Sequence, residues 1–244
     1  GMVLPDSLDR KVRGDFSIGI MPAQGTLSFK AGKRSFVHLS ARRSFLNMLY
    51  GRWLRVDGNP MRYGFGDYNL TYHIDAGSRD KIWIDAYLGN DKAFLGAGNY
   101  NVDLGVAWGN HLGALHWEHT TGDYVLNQTM YVSGYGVDAS LYQDGSSLKV
   151  PSSIGTAGYK GKIQWKDFVS GADVTLYKVR PQAPEKNLNG NMDVDDSELQ
   201  TAAEFDVYTD YSRTLGERFE MNAGVKASCY LSPENKTFWG LSPA

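Results

Sequence analysis

Histidine has the widest chemical reach of the residue types in this chain, because its imidazole binds metals and moves protons near neutral pH. The 5 histidines are positions 38, 73, 111, 116 and 119. Only His116 and His119 are near neighbours, and a separation of three places them on opposite faces of a strand. Such a pair shares a metal ion only if a bulge intervenes. We therefore expect no histidine metal site.

Oxygen-bearing side chains alternate through segment 185–196, with Gly190 at its sixth position. Calcium-binding loops have this arrangement. The candidate ligands are Glu185, Asn187, Asn189, Asn191, Asp193 and Asp196. The last of them is Asp where such loops have a bidentate Glu, and no helices are predicted on either side. A solvated acidic surface loop is therefore favoured over a calcium site.

The sequence contains no His-Glu-x-x-His, Gly-x-Ser-x-Gly or Walker-type glycine motif. We therefore expect no enzyme and no cofactor. Cys229 is the single cysteine, which excludes an intrachain disulfide and a multi-cysteine metal site. The formal net charge is -2 and no run of Lys or Arg occurs, so nucleic acid is not an expected partner.

The composition favours strands and turns, since aromatic residues make up 13% and the chain has 15 Tyr and 28 Gly. No stretch approaches the roughly 18 consecutive apolar residues of a membrane helix. A membrane β-barrel is still compatible with this composition, because only alternate residues of its strands face lipid.

Alternation with a period of two recurs along the chain and predicts strands. The clearest run places Asp67, Asn69, Thr71, His73 and Asp75 on one face and Tyr68, Leu70, Tyr72 and Ile74 on the other. After a turn at 77–80, Ile82, Ile84, Ala86 and Leu88 continue the apolar face. Similar patterns occupy 37–42, 112–120, 124–135, 159–166, 172–179, 203–211 and 218–228. We expect an all-β, antiparallel up-and-down meander of about ten strands without long helices or parallel pairs.

The predicted connections alternate in length. The short ones are 77–80, 121–123, 167–171 and 215–217, and the long ones are 48–61, 90–110, 138–153 and 181–199. Short turns at one end and long loops at the other are typical of outer-membrane barrels. The pattern therefore favours a transmembrane β-barrel or a fragment of one.

Several segments carry a family resemblance. They are 14–19, 35–46, 65–69, 84–91, 108–110, 115–119, 131–135, 204–210 and 222–226. Their order and spacing resemble the first half of the barrel of TonB-dependent receptors of the Bacteroidetes type. The resemblance implies a Gram-negative outer membrane, lipid around the barrel, a TonB complex as partner, and import of an iron complex, cobalamin or an oligosaccharide.

Three departures from the family accompany this resemblance. The Glu-Gly-Pro of many relatives is replaced around 29–32. The plug domain with its TonB-binding segment, and the terminal aromatic used in assembly, have no counterpart in the sequence. We expect a single barrel-fragment domain over 1–244.

Inside such a barrel, polar side chains face the lumen. The candidate substrate-binding residues are Arg42, Asp67, Asn69, His73 and Asp85, and Arg43 is also expected inside. Any one of them can instead only hydrate and brace the lumen. Loops around Asn99 and Asn189 are further candidate contacts. Tyr63, Trp83, Trp108, Tyr131 and Trp165 are candidates for aromatic girdles at the membrane surfaces.

The alternative is a soluble all-β module that binds carbohydrate or lipid, in which Tyr68, Leu70 and Tyr72 pack in a core. An outer-membrane lipase or protease is a third option, but no nucleophile or acid–base set supports it. The direction in which Leu70 points separates the first two.

Overall fold

The computed structural model describes residues 12–98, 101–182, 184–188, 191–194, 198–215 and 219–243. Its strands are β1 Val12–Ile18, β2 Pro22–Gly32, β3 Ser35–Ser44, β4 Arg55–Val56, β5 Asn59–Asp75, β6 Asp80–Ala97, β7 Val102–Thr121, β8 Tyr124–Gln143, β9 Ser146–Trp165, β10 Phe168–Arg180, β11 Glu185–Leu188, β12 Asn191–Val194, β13 Gln200–Leu215, β14 Phe219–Leu231 and β15 Thr237–Pro243. A single helix, α1 Leu46–Tyr50, occurs in these ranges. None of the described helical structure is long and apolar enough to cross a membrane.

The strands form one antiparallel meander. Its order is β1-β2-β3-β5-β6-β7-β8-β9-β10-β13-β14-β15, so each of these strands pairs with its neighbour along the chain. The short strand β4 pairs with β5, and the β11–β12 hairpin pairs with β9 beyond the end of β10. Within the described ranges, β1 and β15 each pair on one side only, so the sheet has two open edges.

The predicted all-β meander is confirmed, and every described pairing is antiparallel. The meander has two more strands than the sequence pattern predicts. These are β2, which begins at Pro22, and β15 near the end of the chain. β15 has no long polar–apolar alternation and is held by its ladder to β14. In β2 the alternation is present, since Ala23, Gly25, Leu27 and Phe29 alternate with Gln24, Thr26, Ser28 and Lys30, and the sequence interpretation missed it.

Two of the predicted long loops are wrong. Most of 90–110 belongs to β6 and β7, and most of 138–153 belongs to β8 and β9. The turn between β8 and β9 is only Asp144-Gly145, whose φ angles of 46° and 80° give a type I′ hairpin. The Gly, Ser and Asp residues around it form strands because ladders on both sides outweigh their weak strand propensity.

The two ends of the sheet still differ. At one end, here the short-turn end, β2–β3, β7–β8 and β9–β10 are joined by two-residue turns, and β5–β6 by residues 76–79. At the other, here the long-connection end, α1 and β4 lie between β3 and β5, and the β11–β12 hairpin lies between β10 and β13. The predicted long connections 48–61 and 181–199 therefore exist, partly as short strands.

The strand register separates the side chains into a polar face and an apolar face. The predicted alternation in β5 is confirmed, with Asp67 in line with Arg42 of β3, and Leu70 in line with Leu39 of β3 and Ala86 of β6. Because strand side chains alternate between faces, one register fixes both surfaces of the whole sheet.

The apolar face has no cover. Leu70 keeps 39% of its surface exposed, and residues at equivalent positions on the other strands are similarly open. They include Phe16, Leu39, Ile84, Leu115, Met130, Ile163, Phe205 and Val225. Ala114 is the one buried hydrophobic residue in the described part of the chain. The sheet therefore contains no apolar core of its own.

Aromatic rings line the apolar face at the short-turn end. Tyr124, Trp165, Phe168 and Tyr211 lie in one row across four strands, with ring centroids 6.0, 6.2 and 4.9 Å apart in that order. Trp117 lies near this border and donates a hydrogen bond to Asp80, with Nε1 2.9 Å from Oδ1.

Of the five girdle candidates, Trp165 lies on the apolar face, as a girdle requires, whereas the register places Tyr63, Trp83, Trp108 and Tyr131 on the polar face, so those four predictions are wrong. Arg43 is also displaced from its predicted position. It lies on the apolar face at the long-connection end and donates to the Tyr68 hydroxyl at 2.9 Å. In each case the alternation of side chains along the paired strands decides which face the residue occupies.

Two glycines of β7 differ in the space that is available for a side chain. A Cβ on Gly109 would lie 2.9 Å from the backbone oxygen of Gly89, whereas one on Gly113 would find its nearest atom at 3.6 Å. We expect Gly109→Ala to lower the free energy of unfolding by about 1–3 kcal/mol, because β6 and β7 must move apart. Gly113→Ala, on the same strand and face, should change it by less than about 0.5 kcal/mol. Urea unfolding followed by tryptophan fluorescence measures both, and equal effects would contradict the close approach.

Candidate functional site

A concavity of about 480 Å³ lies on the polar face over β1, β2, β3, β5 and β6. Its polar lining is Asp15, Ser17, Gln24, Thr26, Ser40, Arg42, Asp67, Asn69 and Tyr87. Three of the predicted site residues, Arg42, Asp67 and Asn69, meet here because the register sets β3 directly beside β5. We call this concavity the polar pocket.

An ion pair organises the polar pocket. Arg42 Nε donates to Asp67 Oδ2 at 2.8 Å, and the Tyr87 hydroxyl donates to Asp67 Oδ1 at 2.9 Å. The guanidinium carbon of Arg42 also lies 5.0 Å from the ring centroid of Phe65. The Arg42 side chain nevertheless keeps 51% of its surface exposed. It therefore has donors available to a ligand while Asp67 holds its orientation.

Neutral hydrogen-bonding groups surround this pair. The Asn69 amide donates to Ser40 Oγ at 3.0 Å, and Gln24 and Thr26 line the adjoining wall on β2. Donors and acceptors are therefore mixed around one cation and one carboxylate. Such a lining suits a ligand rich in hydroxyl, carbonyl or carboxylate oxygens.

His73 and Asp85, the other two predicted site residues, belong to a second cluster on the polar face. Asp85 Oδ1 accepts a hydrogen bond from Thr71 at 2.5 Å, and its Oδ2 lies 3.3 Å from Nε2 of His116. His116 in turn contacts Thr129 Oγ1 through Nδ1 at 2.9 Å. Thr71 follows Asp67 by four residues on β5, which separates this cluster from the polar pocket by about 14 Å.

Four rings stack across the second cluster. The order is Phe36, His73, Trp83 and His116, with centroid distances of 4.9, 6.2 and 4.9 Å. Each ring comes from a different strand of the run β3, β5, β6 and β7, and the register brings them into one row. The rings stack on one another, so this row braces neighbouring strands.

The sequence interpretation missed Tyr87 and His116. Both alternate with apolar residues on their strands, so the pattern assigns them to the polar face, but their partners Asp67 and Asp85 become visible only with the strand register. His116 and His119 do lie on opposite faces as predicted, with His119 Nδ1 2.7 Å from Asp80 Oδ1. In the part of the chain that is described, no group of three or more His, Cys, Asp or Glu is placed to hold a metal ion.

Four of the six candidate calcium positions lie on the paired strands β11 and β12. Glu185 pairs with Val194 and Lys186 with Asp193, so Glu185, Asn187, Asn191 and Asp193 are spread along two strands. Asn189, Asp196 and the candidate loop position Asn99 lie outside the described residues. Calcium binding by this segment stays a prediction.

The ion pair of the polar pocket should contribute little to stability, because Arg42 is half exposed and water screens exposed charges. A double-mutant cycle with Arg42→Ala and Asp67→Ala should give a coupling free energy of about 0.2–1 kcal/mol in urea unfolding. The pair Lys81–Glu118, with its nitrogen and oxygen 3.4 Å apart on the same face, is the matched control. A coupling above about 3 kcal/mol at Arg42–Asp67 would show a structural role instead.

Comparison with known proteins assigns no family. No family model matches the chain. No curated protein matches it either.

Proposed function

We propose that this chain forms part of the wall of an outer-membrane β-barrel of the TonB-dependent receptor type, which binds a scarce nutrient and imports it. The observation that carries the proposal is the uncovered apolar face, which extends over every strand of the meander. Fully burying a large apolar side chain is worth roughly 1.5–3 kcal/mol. A face of this extent therefore requires an apolar surrounding, and lipid is the surrounding that fits a continuous sheet.

The limits of the apolar face support the proposal. A membrane strand needs about 9–11 residues. On β9 the apolar-face positions from Trp165 to Ala157 alternate within that length, although β9 itself has 20 residues. The aromatic row at the short-turn end matches an interfacial girdle, and Arg43, Lys92, Lys178 and Arg180 occupy the same face at the long-connection end. On the described strands, no Asp, Glu, Lys or Arg occupies this face between these borders.

The open edges of β1 and β15 are also consistent with a wall. Unpaired strand edges expose backbone donors and acceptors, which lipid cannot satisfy. In the proposed barrel, further strands or a second copy of the chain pair with both edges. The polar face then surrounds the lumen, and the polar pocket becomes a binding position for an iron complex, cobalamin or an oligosaccharide, with a TonB complex driving import.

The soluble carbohydrate- or lipid-binding module has less support. It places Tyr68, Leu70 and Tyr72 in a core, whereas Leu70 is 39% exposed on a face without a second layer.

Membrane insertion is tested by placing the same charge on adjacent residues of β5. Leu70→Arg puts an arginine on the apolar face and should cost about 2–4 kcal/mol of stability in a bilayer. Asn69→Arg puts it on the polar face and should cost less than about 1 kcal/mol. The readouts are recovery from the membrane fraction in detergent and the temperature at which the folded band disappears on gels. Equal stability of both variants, or a detergent-free monomer, would refute the proposal.

Transport is tested in cells that lose growth on one of the three nutrient classes when the protein is deleted. Replacing both Arg42 and Asp67 by Ala should weaken nutrient binding roughly tenfold, which is the loss of about 1.4 kcal/mol of charge-assisted hydrogen bonding. Lys81→Ala, near the short-turn end of the same face, should leave uptake unchanged. Uptake of labelled nutrient at limiting concentration gives the comparison, and normal growth of the deletion strain on all three classes would contradict a transport role.

A further inference from the structure

A groove of about 1310 Å³ crosses β6 to β10 on the apolar side of the sheet, where the apolar face meets the long-connection end. Its charged lining comes from the cations Lys92, Lys178 and Arg180 and the carboxylates Asp91, Asp138 and Glu198. The groove does not belong to the polar pocket, which opens on the opposite face over β1 to β6.

Glycines form the floor of the groove. Gly109 pairs with Gly136, and Gly134 pairs with Gly155, so four positions without side chains lie next to one another on three strands. A Cβ on Gly136 would have no atom nearer than 3.8 Å. The His111 ring lies over Gly134, and a Cβ on Gly109 would lie 2.9 Å from the Gly89 oxygen, so the room for a ligand lies above Gly136 and Gly155. A larger side chain at Gly136 would fill this room.

Within the described residues, the cations beside the floor have no ion-pair partners. Lys178 and Arg180 are two residues apart on β10 and share a face, at a separation of about 7 Å. Both are exposed, as is Lys92 across the groove. Throughout the described part of the chain, none of the three forms an ion pair, not even with Asp138 or Glu198 of the same lining. Among the described residues, the two cations of β10 therefore have no carboxylate at ion-pair distance, and both can contact an anion.

The apolar face continues directly from the groove. Leu88 lines the groove, and Val132 and Leu176 lie two residues before Gly134 and Lys178 on β8 and β10. These three side chains are 59%, 56% and 54% exposed. The cations lie beside the glycines across neighbouring strands, and the open aliphatic side chains of Leu176 and Val132 follow them along β10 and β8. This arrangement of a cationic surface beside an apolar one matches an amphiphile with an anionic headgroup and hydrocarbon tails.

We propose that the groove binds a phosphate-bearing lipid. Its phosphate lies between Lys178 and Arg180, its polar head covers the glycine floor, and its acyl chains lie over Leu88, Val132 and Leu176. From Lys178 across Gly155 to Gly134 the floor spans two strand spacings, about 10 Å, which is wide enough for the phosphate end of a lipid headgroup. The proposal rests on the membrane position of the sheet proposed above.

The aliphatic border is what selects a lipid over free phosphate. Inorganic phosphate uses the two cations alone and leaves Leu88, Val132 and Leu176 exposed. A lipid covers these side chains as well, and its phosphate then contacts the cations at one position along the strands, where the apolar face ends. Anionic lipids gain affinity from each basic residue near the membrane surface.

The test uses the protein in lipid nanodiscs that contain phosphatidylglycerol and phosphatidylcholine in equal amounts, with retained lipids counted by native mass spectrometry. We expect retained phosphatidylglycerol to exceed phosphatidylcholine at least fivefold. Replacing both Lys178 and Arg180 by Ala should abolish this preference. Replacing both Lys160 and Lys162 by Ala removes the same charge at the same spacing from the polar face of β9, and should leave the preference intact.

A second variant tests the floor without changing charge. Gly136→Leu fills the groove and should reduce retained lipid severalfold, while the folded band on gels stays as in the unchanged protein. Two results would overturn the lipid site. One is an equal loss of lipid preference in the Lys160 and Lys162 double variant of β9. The other is displacement of retained lipid by 20 mM inorganic phosphate that is as strong as displacement by soluble phosphatidylglycerol. A protein that is absent from membranes refutes the proposed function itself, whereas a folded membrane protein with no lipid preference refutes only this inference.

Discussion

Side-chain alternation along hydrogen-bonded strands is the constraint on which the rest of this structure depends. Each inner strand of the meander is paired on both sides, so the face of a residue in one strand fixes the faces of its partners in the next. Arg42, Asp67 and Gly89 follow one another across three strands in this way. A slip of one residue in any pair would send polar side chains to the apolar face. The two chemically different faces are therefore a property of the whole register.

Turns and glycines hold that register. The type I′ turn at Asp144-Gly145 allows only one pairing of β8 with β9, because both residues have positive φ and the turn contains no spare residue. Within the sheet, the Tyr131 ring lies over Gly158 of the neighbouring strand, and its hydroxyl is 3.0 Å from Thr175 Oγ1 one strand further. A ring over a glycine replaces the missing side chain and links three strands. Such contacts stabilise the sheet without a core.

The parts of the fold that were predictable from the sequence are those in which alternation is chemically pronounced. The β5–β6 hairpin is the clearest example, since Asp67 to Asp75 contrast with Tyr68 to Ile74. The extensions of β8 and β9 were not predictable in the same way. On β8 the alternation inverts, with Val137, Ala139 and Leu141 on the polar face, and on β9 Ser occurs on both faces, so the Gly, Ser and Asp residues resemble a loop. The Asp144-Gly145 dipeptide was the available signal. The site shows the same limit. Side-chain alternation predicts that Arg42 and Asp67 lie on the polar face. The contacts of Asp67 with Tyr87 and of Asp85 with His116 depend instead on which strands are neighbours.

The division of the sheet also separates stability from recognition. A charge introduced on the apolar face would lie against the apolar surroundings proposed to cover the sheet, so a substitution there lowers the stability of the fold. On the polar face the Arg42–Asp67 pair remains partly hydrated, and its loss leaves no uncompensated buried charge. Side chains of the polar pocket can therefore change without disturbing the backbone register, because the ladders and the apolar face do not depend on them. A sheet of this kind separates the residues that fix its register from the few side chains on β2, β3, β5 and β6 that shape the pocket.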